Sequence, residues 1–378
     1  MRKIAVTLMT SLLGSSAAFA FWPEATDSSL EIGVGYRQDT LQWSTSVRND
    51  SSYYSDNYDC CEILKELVMP LADVDSHVKW KNLSIWQIEA KGKYVTCDNL
   101  YLRANADYGW ITSGKNIDKD YVVSSNYSAD GCGCGSGSGY NSGNEFEIAR
   151  SKSSVSGTVY DAKIAVGYQF KWCDDSLAIA PLVGYSWHGQ HFKDSHLQQE
   201  FFGDETVEVL GGRSYYSSYY YGNYSNDYSY DGCSYGGNNS SYHTRWSGPF
   251  IGFDFDYRFG CGCEAEWELF GSYEFHWASF NSKAHWVLIE DLVDGFKQHA
   301  KNAYGNVFNI GVKWDFCECW TLAVKGEFQW WWADRGHDRA ELAEGRAGNV
   351  DIDCYTKFPV HNIKWNSASI SVDLGMVF

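Results

Sequence analysis

Proline is scarce in this chain, with 5 residues, and methionine scarcer still, with 4. Beyond the N-terminal segment no stretch approaches the ~18 apolar residues of a helical membrane span, which excludes transmembrane helices. Basic residues are short as well. Lys and Arg number 30 against 48 Asp and Glu, for a net charge of −18. A chain of that sign repels phosphates, so nucleic acid is excluded as a partner. Only 21% of residues are charged, which does not suit a helical bundle built on Ala, Leu, Glu and Lys. Nucleophile elbow, phosphate loop and dinucleotide fingerprint are all missing, and no cofactor is expected. The Cys-x2-Cys spacing of common structural zinc sites is missing too, and no metal is expected.

What is plentiful is aromatic: 17 Trp, 27 Tyr and 20 Phe, set among 36 Gly. Such a composition favours strands and turns. The first 20 residues read as a signal peptide. Arg2 and Lys3 give the positive start, Ile4 to Leu13 the apolar core, and Ala18-Phe19-Ala20 the cleavage site. Residues 21–378 then form a single domain with 30 − 2 = 28 basic and 48 acidic residues, a charge of −20. All 12 cysteines lie in that domain and enter an oxidising compartment.

The dominant periodicity is two. Ile370, Val372, Leu374, Met376 and Phe378 alternate with Ser369, Ser371, Asp373 and Gly375. Nine further stretches alternate likewise, and in nearly all of them the face opposite the apolar one carries charge of both signs. Arg103, Asp107, Lys163, Asp254, Asp256, Arg258, Glu274, Lys313 and Glu327 belong to that charged face. A soluble sandwich would need a second sheet to cover ten apolar faces. Aromatic spacing points instead to a membrane. Trp267 and Trp277 share a phase, as do Trp320 and Trp330. Ten residues at ~3.3 Å, tilted by roughly 40°, rise about 25 Å, the height of the apolar band of an outer-membrane barrel. The fold expected is all-β: a transmembrane antiparallel barrel of about ten strands, closed between its first and last strands. Phe378 would be the terminal aromatic that outer-membrane assembly recognises.

The connections alternate in length, as such barrels require. Four short periplasmic turns are expected near Val95–Asn99, Lys171–Ser176, Gly260–Ala265 and Cys317–Cys319. Five long extracellular loops are expected over roughly 47–79, 113–157, 193–245, 281–303 and 334–362. Ser214 to Tyr242 holds ten Tyr and no Lys or Arg. Helical spacing occurs at Cys61, Leu64, Leu67 and Val68, and again at Ile289, Leu292, Val293 and Phe296. Six cysteines fall at the short turns: Cys97, Cys173, Cys261, Cys263, Cys317 and Cys319. Six fall in the loops: Cys60, Cys61, Cys132, Cys134, Cys233 and Cys354. Some 25 Å of wall separates the two sets, so no bridge joins them within one chain. Neighbouring turns sit about 10 Å apart, which leaves two arrangements open. The cysteines bridge in pairs on each side, or they cross-link the chain to itself and to other cysteine-rich envelope proteins.

Signal peptide, cysteine-bearing turns, Tyr-rich loop and ten-strand pattern together resemble the Protochlamydia outer membrane protein family of porins. That resemblance implies a pore in a disulfide-reinforced outer membrane. A more distant resemblance is to omptins, the ten-stranded outer-membrane proteases, through Val78-Lys79-Trp80-Lys81-Asn82, Tyr108-Gly109-Trp110 and Pro249-Phe250-Ile251-Gly252. Omptins set an Asp-x-Asp pair opposite an Asp-x-His pair to activate water. The matching positions here are Asp118 and Asp120, and then His285 with Lys283 in place of the acid. Leu41 stands where omptins carry their specificity acid. The resemblance therefore implies a protease scaffold without a working base. The function expected is a narrow, cation-preferring channel, held in outer-membrane lipid and contributing to the envelope through disulfides. An omptin-like peptidase and a structural or adhesive barrel with a filled lumen are the alternatives.

Overall fold

A computed structural model describes residues 27–47, 53–55, 73–124, 144–202, 234–235, 240–259, 266–285, 295–317, 319–347 and 350–377. Ten long strands make the wall: β1 (Ser29–Val47), β3 (Asp73–Val95), β4 (Leu100–Ser124), β5 (Asn144–Tyr168), β7 (Leu177–Phe202), β9 (Ser240–Phe259), β10 (Glu266–His285), β11 (Phe296–Cys317), β12 (Trp320–Ala347) and β13 (Val350–Val377). Each pairs antiparallel with its neighbour, and β1 pairs with β13 from Ser29↔Val377 to Thr45↔Val360, which closes the barrel. Three short strands attach to this wall: β2 (Tyr53–Ser55) on β13, and β6 (Phe170–Trp172) and β8 (Ser234–Tyr235) on β7. Closure leaves none of the ten long strands as a free edge, which a sheet in lipid requires.

The alternation has its physical cause in what each face meets. Ile32, Val34, Trp86, Ile88, Ile164, Val166, Ile251, Phe253, Ile310, Val312, Ile370 and Val372 are exposed, all on the outer face. Trp267, Trp314 and Trp320 ring one end of this apolar band, and Trp86, Trp110, Trp187, Trp277 and Trp330 ring the other. Aromatic rings at the two ends of a band are what two membrane interfaces favour.

Two turns on the periplasmic side are described in full, and both are tight. In the Thr96–Asn99 turn, Leu100 N donates to Thr96 Oγ1 at 3.1 Å, and Asn99 takes the left-handed conformation with φ 62°. Cys173, Asp174 and Asp175 are left-handed in succession, with φ of 56°, 54° and 67°. Asp tolerates that region through its short polar side chain, whereas Cys is strained there.

The extracellular boundaries differ from the sequence expectation. Among the described residues the five expected loops are strand, Gly295 apart. β12 and β13 run 28 residues each, straight through the expected 334–362 loop. Phe296, read as part of a helical pattern, opens β11 instead. The reason is an inversion of polarity. Beyond the outer ring of aromatics the inner face turns apolar, with Trp80, Phe192, Tyr242, Trp246, Phe280, Ala284, Trp331 and Val360 buried, while Lys79, Lys193, Lys283, Lys301 and Arg335 face out. The period stays at two apart from bulges such as those at Lys81/Ser84 and Ile111/Lys115, but the apolar face changes sides, so a reading that follows outward apolar residues ends each strand too early. Residues 61–68 and 289–293 lie outside the described residues.

Candidate functional site: the barrel interior

The interior has two storeys. The periplasmic storey is an ionic lattice. Lys313 Nζ lies 3.0 Å from Glu31 and 3.2 Å from Glu268. Lys325 lies 2.7 Å from Glu89 and 3.6 Å from Asp373. Lys93 bridges Asp27 and Asp256 at 3.3 and 3.4 Å. Arg103 holds Asp254 and Glu274 together, and Lys163 reaches Glu274 at 3.3 Å and Glu327 at 3.7 Å. Arg258, half-exposed near the periplasmic mouth, joins Glu268 and Asp27. At the top of the lattice Arg37 binds Asp39 and Asp161, and His188 Nδ1 lies 2.8 Å from Asp161. His276 spans Glu274 and Ser186 at 3.0 and 2.9 Å.

All nine residues proposed from sequence to line the lumen lie on this inner face. Arg103, Lys163, Asp254, Asp256, Arg258, Glu274, Lys313 and Glu327 stand in ion pairs, and Asp107 sits half-buried among them. A cavity of about 20 Å³, room for roughly one water, remains between Glu31, Lys93, Arg103, Asp254, Asp256 and Lys313. Gly33 makes space for the lattice: a Cβ there would lie 1.8 Å from Asp373 Oδ1 and 2.8 Å from Glu89 Oε1.

The outer storey is aromatic. Trp331 stacks on Trp365 with centroids 5.6 Å apart, and Trp80, Tyr242 and Phe192 form a three-ring cluster in which Trp80 lies 4.6 Å from Tyr242 and 5.3 Å from Phe192. Trp246 packs against Phe280 and Trp331, with centroids 4.7 and 5.9 Å away, and Trp43 and Phe296 belong to the same cluster. Trp80, Trp246, Trp331 and Trp365 are each 0% exposed. Gly305 admits the Trp331 ring, which a Cβ would meet at 2.4 Å. The storeys are joined where Arg37 lies over the Trp365 ring, Trp365 Nε1 donates to Asp39 at 3.1 Å, and His188 and His276 pack on Trp331.

Above the aromatics, on the inner face of the extension, Asp118 and Asp120 of β4 approach Asp194 of β7. Asn116 donates to Asp194 at 2.7 Å, Trp80 Nε1 at 3.3 Å, and the Ser76 hydroxyl donates to Asp120. Burial pushes all three carboxyls up, Asp120 and Asp194 to about 6, and Asp118 also feels its two acidic neighbours. His285 is exposed on β10, and its neighbour Ala284 is fully buried, so His285 projects outward. Strands β5, β7 and β9 separate it from Asp118 and Asp120. Leu41 is buried among the aromatics.

Cys97, Cys173 and Cys319 are exposed, unbridged thiols at the periplasmic turns. Cys317 closes β11 and Cys354 lies in β13 opposite Ser55. Cys60, Cys61, Cys132, Cys134, Cys233, Cys261, Cys263 and Phe378 lie outside the described residues. The aromatic storey was missed in the sequence. Its one signal is the run Trp330-Trp331-Trp332, whose middle ring must point inward if the outer two point to lipid.

The sequence signature of the Protochlamydia outer membrane protein family matches residues 31–378. The chain belongs to that family. Among solved structures it is similar to the outer membrane protease OmpT from Escherichia coli, at a TM-score of 0.60 and 12% identity over 95% of this chain and 99% of that one. At that identity the likeness is one of fold: a ten-stranded outer-membrane barrel. Two other outer-membrane proteins align over nearly their whole lengths with lower TM-scores. OprG of Pseudomonas aeruginosa does so at 0.27 and 9% identity over 94% of this chain and 98% of that one. The toluene transporter TodX of Pseudomonas putida does so at 0.30 and 9% identity over 97% and 92%. No curated protein sequence matches the chain. Family and fold place this Protochlamydia-type barrel in the outer membrane.

Proposed function

We propose that the barrel is a narrow outer-membrane channel for inorganic ions and small solutes, shut at rest by its aromatic storey. The observation that carries this reading is the ionic lattice. Buried ion pairs are replaceable by apolar residues at little or no loss of stability, so a barrel that served only as a strut has no use for so many. A polar, charged wall suits the passage of hydrated ions. Acids outnumber bases along it, which supports a modest preference for cations. We also propose that the exposed Cys97, Cys173 and Cys319 cross-link the barrel to other envelope molecules. The outward projection of His285, with Lys283 where the acid would stand, supports a barrel without peptidase activity.

Planar-bilayer recording tests the channel. Brief, small openings are expected, with a cation-selective reversal potential that moves towards zero in Asp254→Asn with Asp256→Asn. Trp331→Ala with Trp365→Ala should lengthen the openings. The stacked aromatics favour a second reading, a closed structural barrel. Silence in wild type and in the double Trp variant alike would decide for it.

A further inference from the structure

One stretch of the outer wall departs from the smooth apolar surface a bilayer favours. A groove of about 610 Å³ runs along β11, β12, β13, β1 and β3 at the level of the outer aromatic ring. Phe308, Phe328 and Trp330 form its lower flank, and the amides Gln38, Asn82 and Asn366 line its bed. Above it, displaced towards the extracellular side by one outward position on β1 and β13, a second hollow of about 360 Å³ is lined by Gln42, His77, Lys79 and Lys364. Gln42 stands in register with Lys79 on one side and Lys364 on the other, so the two lysines flank it roughly two strand spacings, ~10 Å, apart.

The groove is built into the backbone. Register irregularities fall at Asp39/Leu41 between β1 and β3, at Gln42/Ser44 between β1 and β13, and at Lys81/Ser84 between β3 and β4. Asn82 and Asn362, which line the two hollows, are left-handed with φ of 54° and 53°. Bulges and left-handed non-glycine residues gather where a wall is shaped for a task. In a chain of net charge −18, no acid lines either hollow among the described residues.

Apolar rings below, amides in the middle and two cations above reproduce the order of parts in a phosphorylated lipid standing upright in the outer leaflet. We infer that this groove binds one such lipid, its phosphate between Lys79 and Lys364 over Gln42, its ester region against Gln38 and Asn366, and its chains along Phe308 and Phe328. The inference rests on the barrel's place in the outer membrane and is independent of whether the lumen conducts.

Native mass spectrometry of the full chain, folded in micelles with an equimolar mixture of phosphatidic acid and phosphatidylcholine of matched chains, tests it. One phosphatidic acid per barrel should be retained in preference to phosphatidylcholine. Lys79→Glu with Lys364→Glu should reduce retention tenfold or more, since each lysine at an anionic headgroup contributes about one such step or somewhat less. Asn366→Trp, which fills the groove without touching the charges, should reduce retention of both lipids. Lys193→Glu on the opposite wall should change nothing. Heat-modifiable gel mobility shows that each variant is folded, and Lys364→Gln serves where the double reversal fails to fold. Equal retention of the two lipids, or retention indifferent to Lys79, Lys364 and Asn366, would overturn the inference. So would displacement of the lipid by inorganic phosphate, which would mark a site for the free ion.

Discussion

The same ten strands solve opposite problems in their two halves. Within the bilayer they carry Ile, Val and Phe outward and bury Arg103, Lys163, Glu274 and Lys313; above it they bury Trp80, Trp246, Trp331 and Trp365 and turn Lys79, Lys283 and Arg335 outward. The lower half is organised like a membrane barrel and the upper like a soluble one. Only the solvent changes, from lipid to water, and the apolar face follows it. The two halves should therefore fail for different reasons: the lower when a charge loses its partner, the upper when a ring loses its contacts.

The largest expected effect comes from the lower half. Arg103→Met leaves Asp254 and Glu274 buried without their shared cation, and should destabilise the barrel by up to about 5 kcal/mol in urea unfolding from vesicles. Replacing Asp254 by Leu in the same chain should recover part of that loss, because Glu274 keeps Lys163 at 3.3 Å and His276 at 3.0 Å. If the double variant is no better than the single one, the lattice is not acting through charge pairing.

Next comes a contrast between adjacent rings. Trp331→Ala opens a cavity in the upper core and should cost about 3–4 kcal/mol. Trp330→Ala removes a ring that faces out at the aromatic ring of the membrane and should cost about 1 kcal/mol. Equal losses would mean that the inversion of faces carries no energetic weight.

A smaller effect is set by pH. Asp338 lies in the upper half, where it accepts a hydrogen bond from Gln298 at 3.3 Å, and burial pushes its carboxyl up to about 8. The folded state then holds a proton that the unfolded chain releases near pH 3.8, so this residue's contribution to stability is lost as pH rises between about 4 and 8. Asp338→Asn should flatten that slope and stabilise the upper half at pH 8 by on the order of 1–3 kcal/mol, allowing for water entry that relieves part of the burial. Unfolding followed by tryptophan fluorescence at several pH values measures it. A slope that survives the substitution is expected to draw on Asp118, Asp120 and Asp194, whose carboxyls are raised by the same burial.

The smallest effect on folding should come from the thiols at the periplasmic turns. Replacing Cys97, Cys173 and Cys319 by Ser should leave unfolding unchanged while weakening the reductant-sensitive oligomers expected on non-reducing gels of native envelopes. A clean monomer on those gels in the unsubstituted protein would end the cross-linking proposal.

The lower half was legible in the sequence because lipid imposes one rule on every strand. Trp267 and Trp277 alone gave the span and its height. Charges such as Lys163 and Glu274 could be placed on the inner face by parity, though parity cannot say which of them meet, since Arg103 and Glu274 are brought together by barrel closure across 171 positions. The upper half was not legible as strand, because Tyr242, Trp331 and Trp365 keep the period while reversing its sense, and because a bulge at Lys81/Ser84 shifts the phase that carries Trp80. A pattern that reverses without breaking looks like the end of a strand when only one sense is being followed. The carboxyls of Asp118, Asp120 and Asp194 show the same limit: β5 separates β4 from β7, so only the closed barrel sets them face to face.

The unequal strand lengths have a consequence of reach. β1 is 19 residues long and β12 and β13 are 28. At ~3.3 Å per residue and a tilt near 40°, the long hairpin climbs about 70 Å, of which the bilayer takes about 25 Å. Among the described residues the wall is thus uneven, and it reaches furthest at β12 and β13. Whatever approaches the cell from outside, whether antibody, phage or a neighbouring surface, meets the outer ends of β12 and β13 well before it meets lipid.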